Sequence, residues 1–111
     1  MARRLAGRGA RIVERNARVA GLRGELDIVA LEAGTLAFVE VKTLAAASVR
    51  GPERPALAVG PRKQRQLRRL AAAYLAERDL PPFTRIRFDV AGLRVDAAGR
   101  VVEWEYLRAA F

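Results

Sequence analysis

Glu25-Leu26-Asp27-Ile28-Val29-Ala30-Leu31, a turn at Ala33-Gly34, and Leu36-Ala37-Phe38-Val39-Glu40-Val41-Lys42 decide the fold of this chain. Both arms alternate as strands do, and Gly34 with its neighbours Glu32 and Thr35 supplies a hairpin turn. A two-residue loop (Ala33-Gly34) and a four-residue loop (Glu32 to Thr35) give the same register. Leu31 then faces Leu36, Val29 faces Phe38, Asp27 faces Glu40 and Glu25 faces Lys42. Side chains alternate across a strand, so these residues share one face. The opposite face carries Leu26, Ile28, Ala30, Ala37, Val39 and Val41, all apolar. The expected hairpin is therefore buried on one face and half-buried on the other, where Glu25, Asp27, Glu40 and Lys42 gather at one end.

Directly opposed side chains lie about 4.5–5.5 Å apart at Cβ, and like charges there destabilise a sheet. Asp27 against Glu40 thus calls for a cation. Lys42, two residues beyond Glu40, supplies part of one. A hydrated divalent ion supplies more, since two carboxylates with open positions for water suit Mg²⁺ (with Mn²⁺ as a substitute). An ammonium beside such a site can orient a water or stabilise charge developing on a phosphate. The competing reading is a surface salt-bridge cluster on a hairpin. Residue choice favours chemistry: lysine is rare in this arginine-rich chain, yet it stands at Lys42. Lysine is a compact point charge that burial can tune, whereas arginine stays protonated.

The chain resembles the YraN-like family of uncharacterised bacterial proteins, within the restriction-endonuclease-like nuclease superfamily. The resemblance is carried by Glu14-Arg15-Asn16-Ala17-Arg18, Gly24-Glu25-Leu26-Asp27-Ile28-Val29-Ala30, Phe38-Val39-Glu40-Val41-Lys42-Thr43, Lys63, Arg87-Phe88-Asp89-Val90 and Ala110-Phe111. It implies a central mixed β-sheet flanked by α-helices, with Asp27, Glu40 and Lys42 at the active-site positions of an Asp-(x12)-Glu-x-Lys motif. There are two departures. The family usually begins with a longer helix bearing a glutamate, whereas Met1 to Arg8 offers about two turns and no acid. Leu44 stands where arginine usually follows Lys-Thr.

Composition sets the class. With 111 residues the chain is expected to form a single domain over 1–111. No apolar run is long enough to span a membrane, and no sustained apolar segment follows the basic start, so no signal peptide is expected. Cysteine and histidine are both absent, which excludes disulfides, thiolate nucleophiles, imidazole bases and the usual zinc sites. Ser48 is the only serine and has no histidine to activate it. A cytoplasmic setting is the matching expectation. A formal charge of +9 points to a polyanion, with nucleic acid, DNA first, preferred to a membrane surface. A homodimer is compatible with all of this.

Elsewhere, Ala2 to Leu5 reads as a helix end, Arg11 to Glu14 as a strand, and a turn is expected near Gly21. Residues 44–60, with Gly51, Pro52, Pro55 and Gly60, read as a mobile loop. Pro61 suits the first helical position of a helix running to about Asp79, with Leu67, Leu70, Ala71, Tyr74 and Leu75 as its apolar stripe. Arg62, Lys63, Arg65, Arg68 and Arg69 crowd its first half. Cations there oppose the helix dipole unless an anion is near, so these five are the expected nucleic-acid-binding residues; a solvated charge run is the alternative. Thr84 to Val90 alternates, with Asp89 outward in a salt bridge. Leu93 to Val95 and Arg100 to Leu107 form a hairpin around Gly99. Tyr74, Trp104 and Tyr106 read as packing groups.

The expected function is Mg²⁺-dependent endonuclease action on DNA. Asp27 and Glu40 would be metal ligands, Lys42 the group that positions water and stabilises charge, and Glu25 an accessory acid or a salt-bridge partner of Lys42. The alternatives are a non-catalytic nucleic-acid-binding module of the same fold and a structural partner in a larger complex.

Overall fold

The computed structural model describes residues 1–45 and 59–111, with Leu44 as backbone alone. Its elements are α1 (Ala2–Gly7), β1 (Arg11–Ala17), β2 (Leu26–Glu32), β3 (Thr35–Ala45), α2 (Pro61–Glu77), β4 (Arg85–Val95) and β5 (Val101–Leu107). The five strands form one sheet in the order β1-β2-β3-β4-β5. Neighbours are antiparallel except β3 and β4, which run parallel across the α2 crossover. This is an α/β architecture with a mixed sheet and two helices, consistent with the restriction-endonuclease-like fold. No helix among the described residues is long and apolar enough to cross a membrane.

The hairpin register matches the alternation of its residues: Leu31 pairs Leu36 and Val29 pairs Phe38. Ala33 (φ 48°) and Gly34 (φ 79°) both take left-handed backbone, the geometry of the two-residue turn that fits strand twist. Both sheet faces are covered. On one, Val29, Leu36, Phe38, Phe88 and Val90 pack with Leu67, Leu70, Ala71 and Tyr74 of α2. On the other, Ile28, Ala30, Ala37, Val39 and Ala91 pack beneath Leu5 of α1. The face bearing the charged cluster is thus the main core rather than a half-solvated surface. Central strands buried on both faces read as near-continuous apolar runs, as β3 does.

Aromatic rings cross the α2 face. Tyr74 meets Phe38 edge-on at 6.0 Å, Phe38 stacks on Phe88 at 5.6 Å, and Phe88 stacks on Phe111 at 5.1 Å. The Tyr74 hydroxyl donates to Glu14 Oε1 at 3.0 Å; burial and that carboxylate push its pKa up to about 12. Tyr74 is a core residue, as its place in the stripe predicts.

Three expectations change. Thr84–Val90 and Leu93–Val95 are one continuous strand, β4, because Ala91 and Gly92 keep their parallel pairing to Val41 and Lys42. Asp89 forms its salt bridge but points inward and is fully buried. It accepts from Arg87 Nε (2.8 Å), Arg87 Nη2 (3.0 Å), the Tyr106 hydroxyl (2.6 Å) and Ala109 N (2.9 Å). A buried carboxylate needs such partners, and with four donors it has no call for a metal. Most of the loop expected over 44–60 falls on 46–58, outside the described residues; Leu44 and Ala45 continue β3, and Val59 is buried.

Candidate active site at the open end of the hairpin

Asp27 stands where the β2–β3 backbone ladder gives way. Regular pairing runs from Glu32 and Thr35 to Ile28 and Val39. One residue further, Asp27 Oδ2 accepts the Val41 N–H at 2.8 Å. The carboxylate replaces a backbone acceptor, and this fixes the side chain beside Glu40. It also ends the cross-strand pairing before Glu25. Glu25 pairs with Arg18 at 3.5 Å instead of facing Lys42, so the structure does not bring it into the cluster.

Glu40 lies at the centre and is 6 % exposed. Its Oε1 is 3.6 Å from Lys42 Nζ and 3.7 Å from Lys63 Nζ. Its Oε2 is shielded from solvent and meets no hydrogen-bond donor among the described residues. Burial, and then the nearby Asp27 charge, push the Glu40 carboxyl above its ordinary range, while Lys63 and Lys42 pull against them. The chain has only two lysines among its 21 basic residues, and both converge on this one oxygen.

Lys63 was expected among outward nucleic-acid contacts, and the structure turns it inward. The signal was present in the spacing. Lys63 is four residues before Leu67 and so continues the stripe that faces the sheet. Arg62, Arg65 and Arg69 are exposed and have no carboxylate partner among the described residues. Arg68 differs from them: its guanidinium lies 4.9 Å from the Phe88 ring centre and 5.4 Å from that of Phe111, covering the end of the aromatic row. Arg15 and Asn16, not singled out from the sequence as site residues, line an open cavity of about 270 Å³ with Asp27, Val41, Met1 and Ala2.

The residues fit a divalent cation in one respect. A buried carboxylate oxygen without a donor, beside a second carboxylate, is an arrangement a cation would satisfy. The protein would supply only Asp27 and Glu40, since no three acidic side chains converge among the described residues. Such a site suits an ion that keeps several waters, as Mg²⁺ does.

The model of the family described as "Uncharacterised protein family UPF0102" matches residues 1–93. A UPF0102 protein of Chlorobaculum parvum is 44 % identical over 114 residues, covering 99 % of this chain and 84 % of the relative. One from Moorella thermoacetica is 40 % identical over 107 residues, covering 96 % and 84 %. One from Streptomyces griseus is 43 % identical over 101 residues, covering 91 % and 81 %.

Proposed function

The chain belongs to the uncharacterised protein family UPF0102, the YraN-like family, and from that premise we propose that it is a Mg²⁺-dependent endonuclease that hydrolyses phosphodiester bonds in DNA. The observation that carries this reading is Glu40, with one oxygen held by lysine ammonium groups, the other donorless among the described residues, and the Asp27 carboxylate close by. Asp27 and Glu40 would hold the ion, which when bound would polarise a phosphate oxygen and make a coordinated water more acidic. Asp27 is kept in place by the Val41 N–H. Lys42, 29 % exposed at its side chain, can reach solvent while touching Glu40. There it would orient the attacking water and stabilise charge developing on the phosphate. Arg62, Arg65 and Arg69 would hold the nucleic-acid backbone, consistent with a net charge of +9.

The deciding assay offers linear, nicked, flapped and four-way DNA with and without Mg²⁺ or Mn²⁺. Lys42→Ala is expected to lower cleavage by about 10²-fold or more while leaving DNA affinity nearly unchanged, as for a group acting mainly in the transition state. Lys42→Arg is expected not to restore full activity, because the forked guanidinium is bulkier and keeps its proton. Asp27→Asn, prepared identically, must be inactive if the cleavage belongs to this chain.

One observation favours a second reading, a nucleic-acid-binding module without catalysis: the acidic cluster has two carboxylates and not three among the described residues. Salt-sensitive DNA binding with no metal-dependent cleavage on any substrate of the panel would select it.

A further inference from the structure

Lys63 is the basic residue in the first turn of α2 that turns toward the sheet. Arg62 and Arg65 on either side of it are exposed. A cation in the first turn of a helix is disfavoured by the helix dipole, and α2 has no acid in that turn and no side-chain cap at Gly60. The Glu40 carboxylate is what makes the position favourable. Lys63 Nζ lies 3.7 Å from Oε1, with its side chain 34 % exposed. With Lys42 on the same oxygen, two ammonium groups already offset in number the Asp27 and Glu40 carboxylates, and Arg15 lines the cavity beside Asp27. A divalent cation entering beside Oε2 would leave an excess of positive charge unless one ammonium withdraws. Lys42 is fixed to β3, inside the parallel pairing with β4. Lys63 is on a long flexible stem at the solvent-facing start of α2, and a lysine makes no forked clamp on a carboxylate as an arginine would.

We infer that Lys63 is a positioning residue that substitutes for a divalent cation at Glu40: its ammonium and the metal exclude each other. The displaced ammonium then emerges next to Arg62 and Arg65, where a phosphate would receive it. This inference rests on the two-carboxylate metal site proposed above, and its test separates the two.

The experiment titrates Mn²⁺ into the metal-free full chain by calorimetry, for wild type, Lys63→Gln and Lys63→Arg, and records thermal midpoints of each with and without Mn²⁺. Lys63→Gln is expected to bind Mn²⁺ about tenfold more tightly than wild type, the order expected when a unit positive charge is removed close to a divalent ion. Its metal-free midpoint is expected to fall, and Mn²⁺ to restore it. Lys63→Arg, with a bidentate hold on Glu40, is expected to bind Mn²⁺ more weakly than wild type. A salt bridge of purely structural value would lower the midpoint and leave metal affinity equal or weaker in Lys63→Gln; that result overturns the inference and leaves the metal site standing. Absence of Mn²⁺ binding in wild type and Lys63→Gln alike overturns both. Should Lys63→Gln not fold, Lys63→Arg decides: weaker binding supports the competition, and equal or tighter binding overturns it.

Discussion

Glu40 Oε2 and Asp27 form an unresolved conflict in the metal-free protein: a buried acceptor without a donor beside a second carboxylate. Asp27→Asn relieves it. The amide oxygen can still accept the Val41 N–H, now held by Asp27 at 2.8 Å, and the amide nitrogen can donate to the Glu40 carboxylate beside it. Removing an unsatisfied buried group is worth about 1–3 kcal/mol, so Asp27→Asn is expected to be more stable than wild type without metal, by about 1 kcal/mol or more. The same variant is expected to lose any Mn²⁺-induced rise in midpoint, because a ligand that binds only the folded state stabilises it. Calorimetry on both proteins, with and without millimolar Mn²⁺, reads the two effects, and a wild type indifferent to Mn²⁺ removes the metal site. The turn offers a separate prediction. Ala33 has φ of 48°, where asparagine is better tolerated than alanine. Ala33→Asn is expected to add about 0.5–1 kcal/mol, read as a higher denaturant midpoint with an unchanged slope; a lower midpoint would show that the turn is not strained. At this scale the sequence was readable where regular pairing lets alternation set the direction of a side chain, as at Val29 and Phe38, and it failed where that pairing stops, since Leu26 packs with those two residues rather than on the face of Ile28 and Ala30. It misled where the partner was remote. Alternation placed Asp89 outward, opposite Phe88 and Val90, yet Tyr106 and the Ala109 N–H, contributed from 17 and 20 residues away, enclose it on that second face.

Among the elements, α2 carries two jobs on two faces. Its buried stripe joins the core, and Lys63 extends that stripe to Glu40. Its exposed arginines at 62, 65 and 69 recur at helical spacing and have no carboxylate partner among the described residues. The helix and its apolar face were legible from Pro61 and the leucine spacing; the same spacing set Lys63 on that face, but the five basic residues were grouped by charge alone, which suggested one patch. Their roles now separate by experiment. Replacing Arg62, Arg65 and Arg69 together by alanine is expected to weaken DNA binding and to lower the slope of log affinity against log salt by about 2–3, through lost counterion release. Arg68→Ala is expected to act on stability instead, because its guanidinium covers Phe88 and Phe111, a contact of about 0.5–1 kcal/mol. Binding isotherms at several salt concentrations, paired with thermal melts, give both answers. An unchanged salt slope in the triple variant would move the nucleic-acid surface elsewhere. The β4 strand shows the opposite limit of legibility: the sequence read as two pieces, Thr84–Val90 and Leu93–Val95, whereas Ala91 and Gly92 are buried and paired to both β3 and β5, so the strand continues through them.

Across the whole molecule, acids are scarce, 12 against 21 basic residues, and the fold uses them in two opposed ways. Glu14 takes hydrogen bonds from Arg78 and Tyr74, joining β1 to α2. Glu32 takes them from Arg108 and Arg87, joining the hairpin to β4 and the segment after β5. Arginine hydrogen bonds hold both carboxyls below their ordinary range. Their contribution is therefore present above the unfolded value near 4.5 and is lost as pH falls through their lower folded values. Glu40 runs the other way. Burial first, then Asp27, raise its carboxyl above 4.5, so the folded state binds more protons than the unfolded one just above that pH. Stability from this site is present below about 4.5 and is lost as pH rises through the raised folded value. The metal-free protein is thus expected to weaken on both sides of a maximum, on the acid side through Glu14 and Glu32 and on the other through Glu40. Metal separates the two limbs, because a cation needs the ionised carboxylate. The stabilisation given by Mn²⁺ is expected to be small near pH 4.5 and to grow steadily as Glu40 ionises, while the acid limb is unaffected by metal. Glu32→Gln is expected to lower the midpoint at pH 7, to approach wild type at pH 3, and to leave the Mn²⁺ response intact. Melts of wild type and Glu32→Gln across pH 3–8, with and without Mn²⁺, test the scheme. A Mn²⁺ effect that is equally large at pH 4 and pH 7 would place the ion away from the raised carboxylate, because a proton on Glu40 would occupy an oxygen that the cation needs.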